Sequence, residues 1–269
     1  MTARWIMTAA GAAGAATVLV ASVSAAAPQM GRLDPDSAMA RSEQAVGRSV
    51  GSYVLTDSTG AALPLAAYRG KPLVISLVYS ACSSICPPTT QHLIGAVSEA
   101  QRVLGPDRFA VLTVGFDARN DTPARMAQFA TTQGVKLPNW RLASGDAGTL
   151  EALLRDLGFS YVAAAGGFDH VAQTTIVDRD GRVHRQVYGD DFPIQMLIEP
   201  LKDAVYNTTT FLSFRGLVDR LRFICTIYDP GAGRYRIDYG LVFGSVIAAL
   251  SLVVFGGILL REWRRSVRA

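Results

Sequence analysis

An almost uninterrupted apolar run, Lys71 to Ser80 (KPLVISLVYS), stops at Cys82-Ser83-Ser84-Ile85-Cys86-Pro87-Pro88, and only then does an amphipathic stretch begin. An apolar run of that length is a strand buried on both faces of a sheet, so it needs cover on both sides. The following TTQHLIGAVSEAQRVLG carries Leu93, Ile94, Val97, Val103 and Leu104 at helical spacing and stops at Gly105. A second run, Arg108 to Phe116 (RFAVLTVGF), repeats the strand. Asp121-Thr122-Pro123 then opens a helix through Met126 to Thr132, with Asp121 as its cap and Pro123 at the first helical position. Strand, loop, helix, strand, helix is a crossover unit with a parallel sheet.

The rest of the middle of the chain completes the pattern. Trp140 to Ser144 is a short strand and Ala147 to Leu157 a helix closed by Gly158. Thr174 to Val177 and Arg182 to Tyr188 form a hairpin around Asp178-Arg179-Asp180-Gly181, and a last helix covers Phe192 to Val205, bent near Pro200. Parallel strands with crossover helices, closed by a hairpin and a final helix, predict a thioredoxin-like α/β sandwich over 51–206. The stretch 28–50 is polar, has no sustained period and is read as a linker.

Composition places the excess of apolar residues at the ends: 49% of the chain is hydrophobic and 18% charged, against roughly 25% charged in a soluble domain. Residues 1–27 have an n-region with Arg4, an apolar stretch and Ala25-Ala26-Ala27 before Pro28, the pattern of an export signal or of a retained N-terminal anchor. Tyr239 to Leu260 is 22 residues without a charge, which predicts a C-terminal transmembrane helix. The Arg-rich tail 261–269 then favours the cytoplasmic side. Between domain and anchor, 207–238 contains an amphipathic helix over Phe211 to Tyr228, lying on the membrane or packed on the domain. These signs place the globular domain on the periplasmic side of an inner membrane. The net charge of +4 is explained by arginines crowded near the C-terminal apolar run, so a membrane surface rather than nucleic acid is the expected partner.

Three cysteines are too few for a disulfide scaffold. Cys82 and Cys86 sit where a buried strand hands over to a helix N-terminus, whose partial positive charge favours thiolate. Thiolate serves both disulfide exchange and soft metals, so position alone leaves redox and metal chemistry open. Three residues between the cysteines suit a loop closed around one metal and still permit a disulfide. His170 follows Gly166-Gly167-Phe168-Asp169, read as a flexible loop before a strand, and the topology puts that loop beside the cysteines. His92, in a helix, and His184, in a hairpin strand, lack such a neighbourhood. Asp117 is either a partner to the metal or histidine, or merely a turn residue. Cys225, in FICTIYDP, is a small apolar residue or a site of intermolecular pairing.

YSACSSICPPT, VLTVGFDARNDTP, LGFSYV followed by GGFDH, and IVDRDGRVHRQVYGDDF together resemble the Sco/SenC proteins, which assist copper insertion into cytochrome c oxidase. The resemblance spans about Val50 to Ala204. It implies that Cys82, Cys86 and His170 are copper ligands, for Cu(I) or Cu(II), and that the partner is the copper-binding subunit of the oxidase. Two departures are visible: Asp117-Ala118 stands where the family usually has Asp-Pro, and a C-terminal anchor replaces or joins the usual N-terminal one. Two thiolates plus an imidazole tolerate both copper states, as a carrier needs. A structural zinc site would call for a fourth ligand. The rival expectation is a thiol-disulfide reductase that cycles a Cys82–Cys86 disulfide with a thiol reductant and keeps the client's cysteines reduced. A peroxide-reducing enzyme would need an activating Arg or Gln motif that is not recognisable here, and a redox sensor is the remaining rival.

Overall fold

The computed structural model describes residues 32–164, 166–206, 226–229, 234–237 and 239–266. In chain order the elements are α1 (Pro35–Gln44), β1 (Val54–Asp57), β2 (Ala62–Pro64), β3 (Leu73–Val78), α2 (Cys86–Leu104), β4 (Ala110–Gly115), α3 (Pro123–Gln133), β5 (Trp140–Ser144), α4 (Ala147–Asp156), β6 (Tyr161–Ala164), β7 (Gly167–His170), β8 (Gln173–Val177), β9 (Val183–Tyr188), α5 (Gln195–Tyr206), β10 (Thr226–Asp229), β11 (Arg234–Ile237) and α6 (Tyr239–Ser266). Seven strands form one sheet in the order β2-β1-β5-β4-β3-β8-β9. The pairs β3–β4 and β4–β5 are parallel, and β8 runs antiparallel to β3. Every residue of β3 and β4 is buried, as their unbroken apolar runs require.

This topology gathers the loops that matter. Val78 pairs with Gly115, so β3 and β4 end side by side. Because β8 is antiparallel to β3, with Thr174 opposite Ser76, its start lies at that same edge. The loops after β3 and β4 and the segment before β8 therefore meet without any further device.

Four features differ from the sequence reading. First, 28–50 is not wholly a linker: Pro35–Gln44 is helical, with the Asp34 carboxylate accepting the Ser37 N–H at 3.2 Å. Its buried residues are small, Ala38 and Ser42, and the contact is polar. The Ser42 hydroxyl donates to Gln173 at 2.8 Å and accepts from Tyr188 at 2.9 Å. A helix held by hydrogen bonds and small side chains leaves no apolar stripe to read. Second, the segment before β8 is the hairpin β6–β7, with Tyr161 opposite His170, rather than a loop. Third, the cap of α3 is Thr122, whose hydroxyl accepts the Arg125 N–H at 3.3 Å, not Asp121. Fourth, Thr226–Tyr228, expected to end a helix, lie in β10, paired with β11. β-branched and aromatic residues before Asp229-Pro230-Gly231 favour that outcome.

The remainder of the amphipathic segment, the export signal at 1–27 and Cys225 lie outside the described residues. The uncharged stretch 239–260 is helical within α6, and Phe243, Leu252, Val253 and Phe255 are exposed. Among the described residues no helix is long and apolar enough to cross a membrane, so the expected span rests on the sequence alone.

Gly158 shows how closely α1 is seated. It has φ of +68°, and a Cβ there would lie 2.6 Å from the Arg41 carbonyl oxygen of α1. Gly47 also has positive φ, +86°, but open space around it. Gly47→Ala should therefore cost about 1 kcal/mol, and Gly158→Ala at least about 2 kcal/mol because the backbone of α1 must also move. Urea unfolding checks this; equal costs at the two positions would show that α1 does not rest on Gly158.

Candidate functional site

Two prolines turn the start of α2 toward Cys82, although Ile85 holds the cap position. Cys86 is the first residue of that helix, Pro87 and Pro88 have no N–H, and the Thr89 N–H returns to the Ile85 carbonyl at 3.1 Å. The Cys86 N–H is left over, and it donates to Cys82 Sγ at 3.3 Å. Cys82 is itself turned back by its own N–H on the Tyr79 carbonyl at 3.0 Å. No side-chain oxygen caps α2, so the sulfur meets the positive end of the helix.

The two thiols are free and unlike each other. Burial works against ionisation of Cys82. The Cys86 thiol and N–H, the Tyr79 hydroxyl and the Ser84 N–H outweigh it and bring Cys82 down to about 7. Cys86 moves the other way, raised first by burial, then by its hydrogen bond to Cys82 and by the negative charges of Cys82 and Asp121. Tyr79 is raised to about 12, by burial and by its hydrogen bond to Cys82. Of the two, Cys82 is the readier thiolate and Cys86 the thiol that keeps its proton.

His170 lies across the Tyr79 ring. Their ring centroids are 6.1 Å apart, and Phe116 and Phe159 each stand 5.5 Å from the imidazole. Nδ1 lies 3.2 Å from the Val171 carbonyl oxygen, which can only accept, so Nδ1 carries the hydrogen in this contact. Burial depresses the imidazole further, favouring the neutral ring. Nε2 then presents a bare lone pair, and it is buried without a hydrogen-bond partner. An orphaned, oriented imidazole nitrogen on the same edge as two thiols suits a soft metal. Among the described residues no three His, Cys, Asp or Glu side chains stand close enough to hold a metal together. The donors share an edge, with Tyr79 between them.

One residue that the sequence reading passed over, Tyr79, helps to build this edge. Tyr79 bonds to Cys82 with its hydroxyl and packs against His170 with its ring. Gly167 makes room for it: at φ +152° a Cβ would lie 2.6 Å from the Tyr79 oxygen, so this glycine permits a close approach where a hinge was expected. Asp121, taken as a helix cap, accepts the Ser80 N–H at 2.8 Å and the Asp117 N–H at 2.9 Å. Asp117 accepts from the Arg119 N–H and the Asn120 side chain, which is the turn role among its two alternatives. His92 and His184 face Asp191 and Asp203. Only position in the strand run could have singled out Tyr79, as the aromatic residue nearest the cysteines.

Tyr79→Phe removes a donor to the Cys82 sulfur, so the thiolate loses stabilisation and Cys82 should titrate at higher pH. Alkylation of the wild type should rise about tenfold per pH unit up to about 7 and then level. In the variant the bend should move upward, read by alkylation rate or thiolate absorbance. An unmoved bend would remove the hydroxyl from the sulfur's environment.

The SCO1/SenC family model matches residues 41–205. The SCO1 protein homolog of Bacillus subtilis is 24% identical over 159 residues, covering 56% of this chain and 80% of that protein. Among solved structures, an Aquifex aeolicus VF5 protein named for electron transfer superposes with a TM-score of 0.55 at 25% identity, covering 59% of this chain and 94% of that one. BsSco, described as a member of the Sco family of cytochrome c oxidase assembly proteins, gives 0.53 at 20% identity with the same coverages, 59% and 94%. The thioredoxin-like arrangement is common to these folds, and the match over most of the globular domain places the sequence: the chain belongs to the SCO1/SenC family.

Proposed function

We propose that this chain carries copper for cytochrome c oxidase assembly, holding it as cargo through Cys82, Cys86 and His170 and handing it to the oxidase's copper-binding subunit. The observation that supports this reading is the orphaned Nε2 of His170, buried on the sheet edge that also carries the low-titrating Cys82, with Tyr79 between them. A buried imidazole lone pair without a partner calls for an explanation, and a bound metal supplies one. Thiolates suit Cu(I), and the neutral imidazole adds a donor suited to Cu(II). Family membership supports the same reading.

Anaerobic titration of the full chain in detergent tests it. One copper should bind per chain; Cys82→Ser or Cys86→Ser should abolish binding, and His170→Ala should weaken Cu(II) by at least about tenfold while affecting Cu(I) less. An unchanged Cu(II) spectrum in His170→Ala would take the histidine out of the site.

A second reading, a thiol-disulfide reductase, is favoured by the unequal thiols: an attacking Cys82 and a protonated Cys86 are what exchange requires. Oxidase activity in a Cys82→Ser strain separates the two. Rescue by excess copper supports carriage; rescue by added thiol reductant alone supports reduction.

We further propose that the domain faces the periplasm, with Tyr239–Leu260 spanning the inner membrane and the basic tail in the cytoplasm. The uncharged length of that stretch in the sequence and the basic tail after it support this. A periplasm-active reporter fused after Tyr206 should be active, and one fused after Ala269 inactive; the reverse pattern overturns the orientation.

A further inference from the structure

Beside the metal edge lies a second, unassigned feature, a cleft of about 310 Å³ between α1 and α4. Arg41, Arg48 and Arg155 line it, together with Glu151 and the aromatic residues Phe159 and Tyr161. The three arginines are exposed, and among the described residues none of their guanidinium groups has an ion-pair or hydrogen-bond partner. One carboxylate against three guanidinium groups leaves the cleft strongly positive. The seat is built, because α1 rests on Gly158 and is held through Ser42 to Gln173 and Tyr188.

The inner wall of the cleft is shared with the copper edge. Phe159 and Tyr161 face each other at 6.1 Å, Phe159 stands 5.5 Å from His170, and Tyr161 is 41% exposed. An occupant of the cleft therefore rests on the residues that wall in the imidazole. Exposed arginine and tyrosine are the side chains that protein interfaces favour. A concave floor with an aromatic wall suits a protruding polypeptide better than a flat lipid surface.

We infer that the Arg41–Arg48–Arg155 cleft docks a carboxylate-rich surface loop of the protein that exchanges copper with this site. The inference rests on the copper-carrier reading and names the surface by which the partner is held. Charges at the rim of such an interface act chiefly on the rate of encounter, which salt screens.

The test uses the full chain in detergent micelles, as wild type and as the charge reversal R41E/R48E/R155E, with R41Q/R48Q/R155Q as a milder second variant. Transfer of Cu(I) to the copper-binding domain of the oxidase subunit should slow at least about tenfold at low salt in the reversal, and its salt dependence should flatten. Transfer to dithiothreitol, a neutral small acceptor, should be unchanged. With copper absent, anisotropy of a fluorescein-labelled Glu-rich dodecapeptide should report binding to the wild type that its Gln counterpart lacks and that both variants weaken. Equal transfer rates and salt slopes in wild type and reversal would overturn the inference. So would variants that lose binding only to phosphatidylglycerol vesicles, which reassigns the cleft to lipid. Failure of the wild type to bind copper would sink the carrier reading, while the peptide measurement would still decide whether the cleft takes carboxylates.

Discussion

The carboxylate of Asp121 accepts N–H groups from Ser80 and Asp117, one from the segment after β3 and one from the segment after β4. The Asp117 bond is buried and the Ser80 bond partly so, and Gly115 leaves the room they need: a Cβ there would meet the Asp121 side chain at 2.6 Å. The cysteine loop and the Phe116 wall of the histidine are thereby fixed to one another. The arrangement works against stability. Burial raises Asp121 above the usual carboxylate range, so the folded state holds its proton more tightly than the unfolded chain, and the ionised form costs stability once pH rises past the ordinary value. A buried charge of this kind sets geometry rather than adding stability.

What is fixed in this way is a difference between two sulfurs. The start of α2 has one spare N–H to give, and Cys82 receives it. The neighbouring Cys86 sits deeper and donates its own proton toward Cys82, so ionising one sulfur suppresses ionisation of the other. A soft metal needs two thiolates and relieves that mutual repulsion, whereas disulfide exchange uses the inequality as it stands. The same two sulfurs thus suit both chemistries, which is why the spacing of the cysteines could not choose between them.

How much of this was legible in the sequence follows from which interactions are local. The runs 71–80 and 108–116 announce β3 and β4 because burial on both faces leaves no polar alternation, the buried Ser76 and Thr113 hydroxyls bonding each other, and Gly158 announces the end of α4 because only glycine takes that turn readily. The cysteine loop and His170 were legible for the same reason, once strand order placed their ends together. The Asp121 clamp was not: Asp-Thr-Pro is satisfied by either residue as a cap, and Thr122 takes the role because the Asp121 side chain is drawn 41 positions back to Ser80. Helix α1 escaped because its partners, Gln173 and Tyr188, are more than 130 positions away and polar. The hairpin β6–β7 escaped because Ala163, Ala164 and two glycines give no alternation, and Gly167 lies against Tyr79, a contact distant in sequence.

That contact also determines what the histidine can do. Tyr79, Phe116 and Phe159 stand around the imidazole, and ring contacts of this kind hold a side chain firmly without offering its nitrogen a hydrogen bond. A polar wall would have satisfied Nε2 and removed it as a donor. A wetter one would have raised the fraction of imidazolium, which binds no metal. The aromatic residues keep the lone pair vacant and the ring neutral. Because Tyr79 also hydrogen-bonds Cys82, any ligand that draws the sulfur and the imidazole together must displace its hydroxyl first. Its place between the two thiols and the imidazole keeps these three groups on one edge without bringing all three into contact.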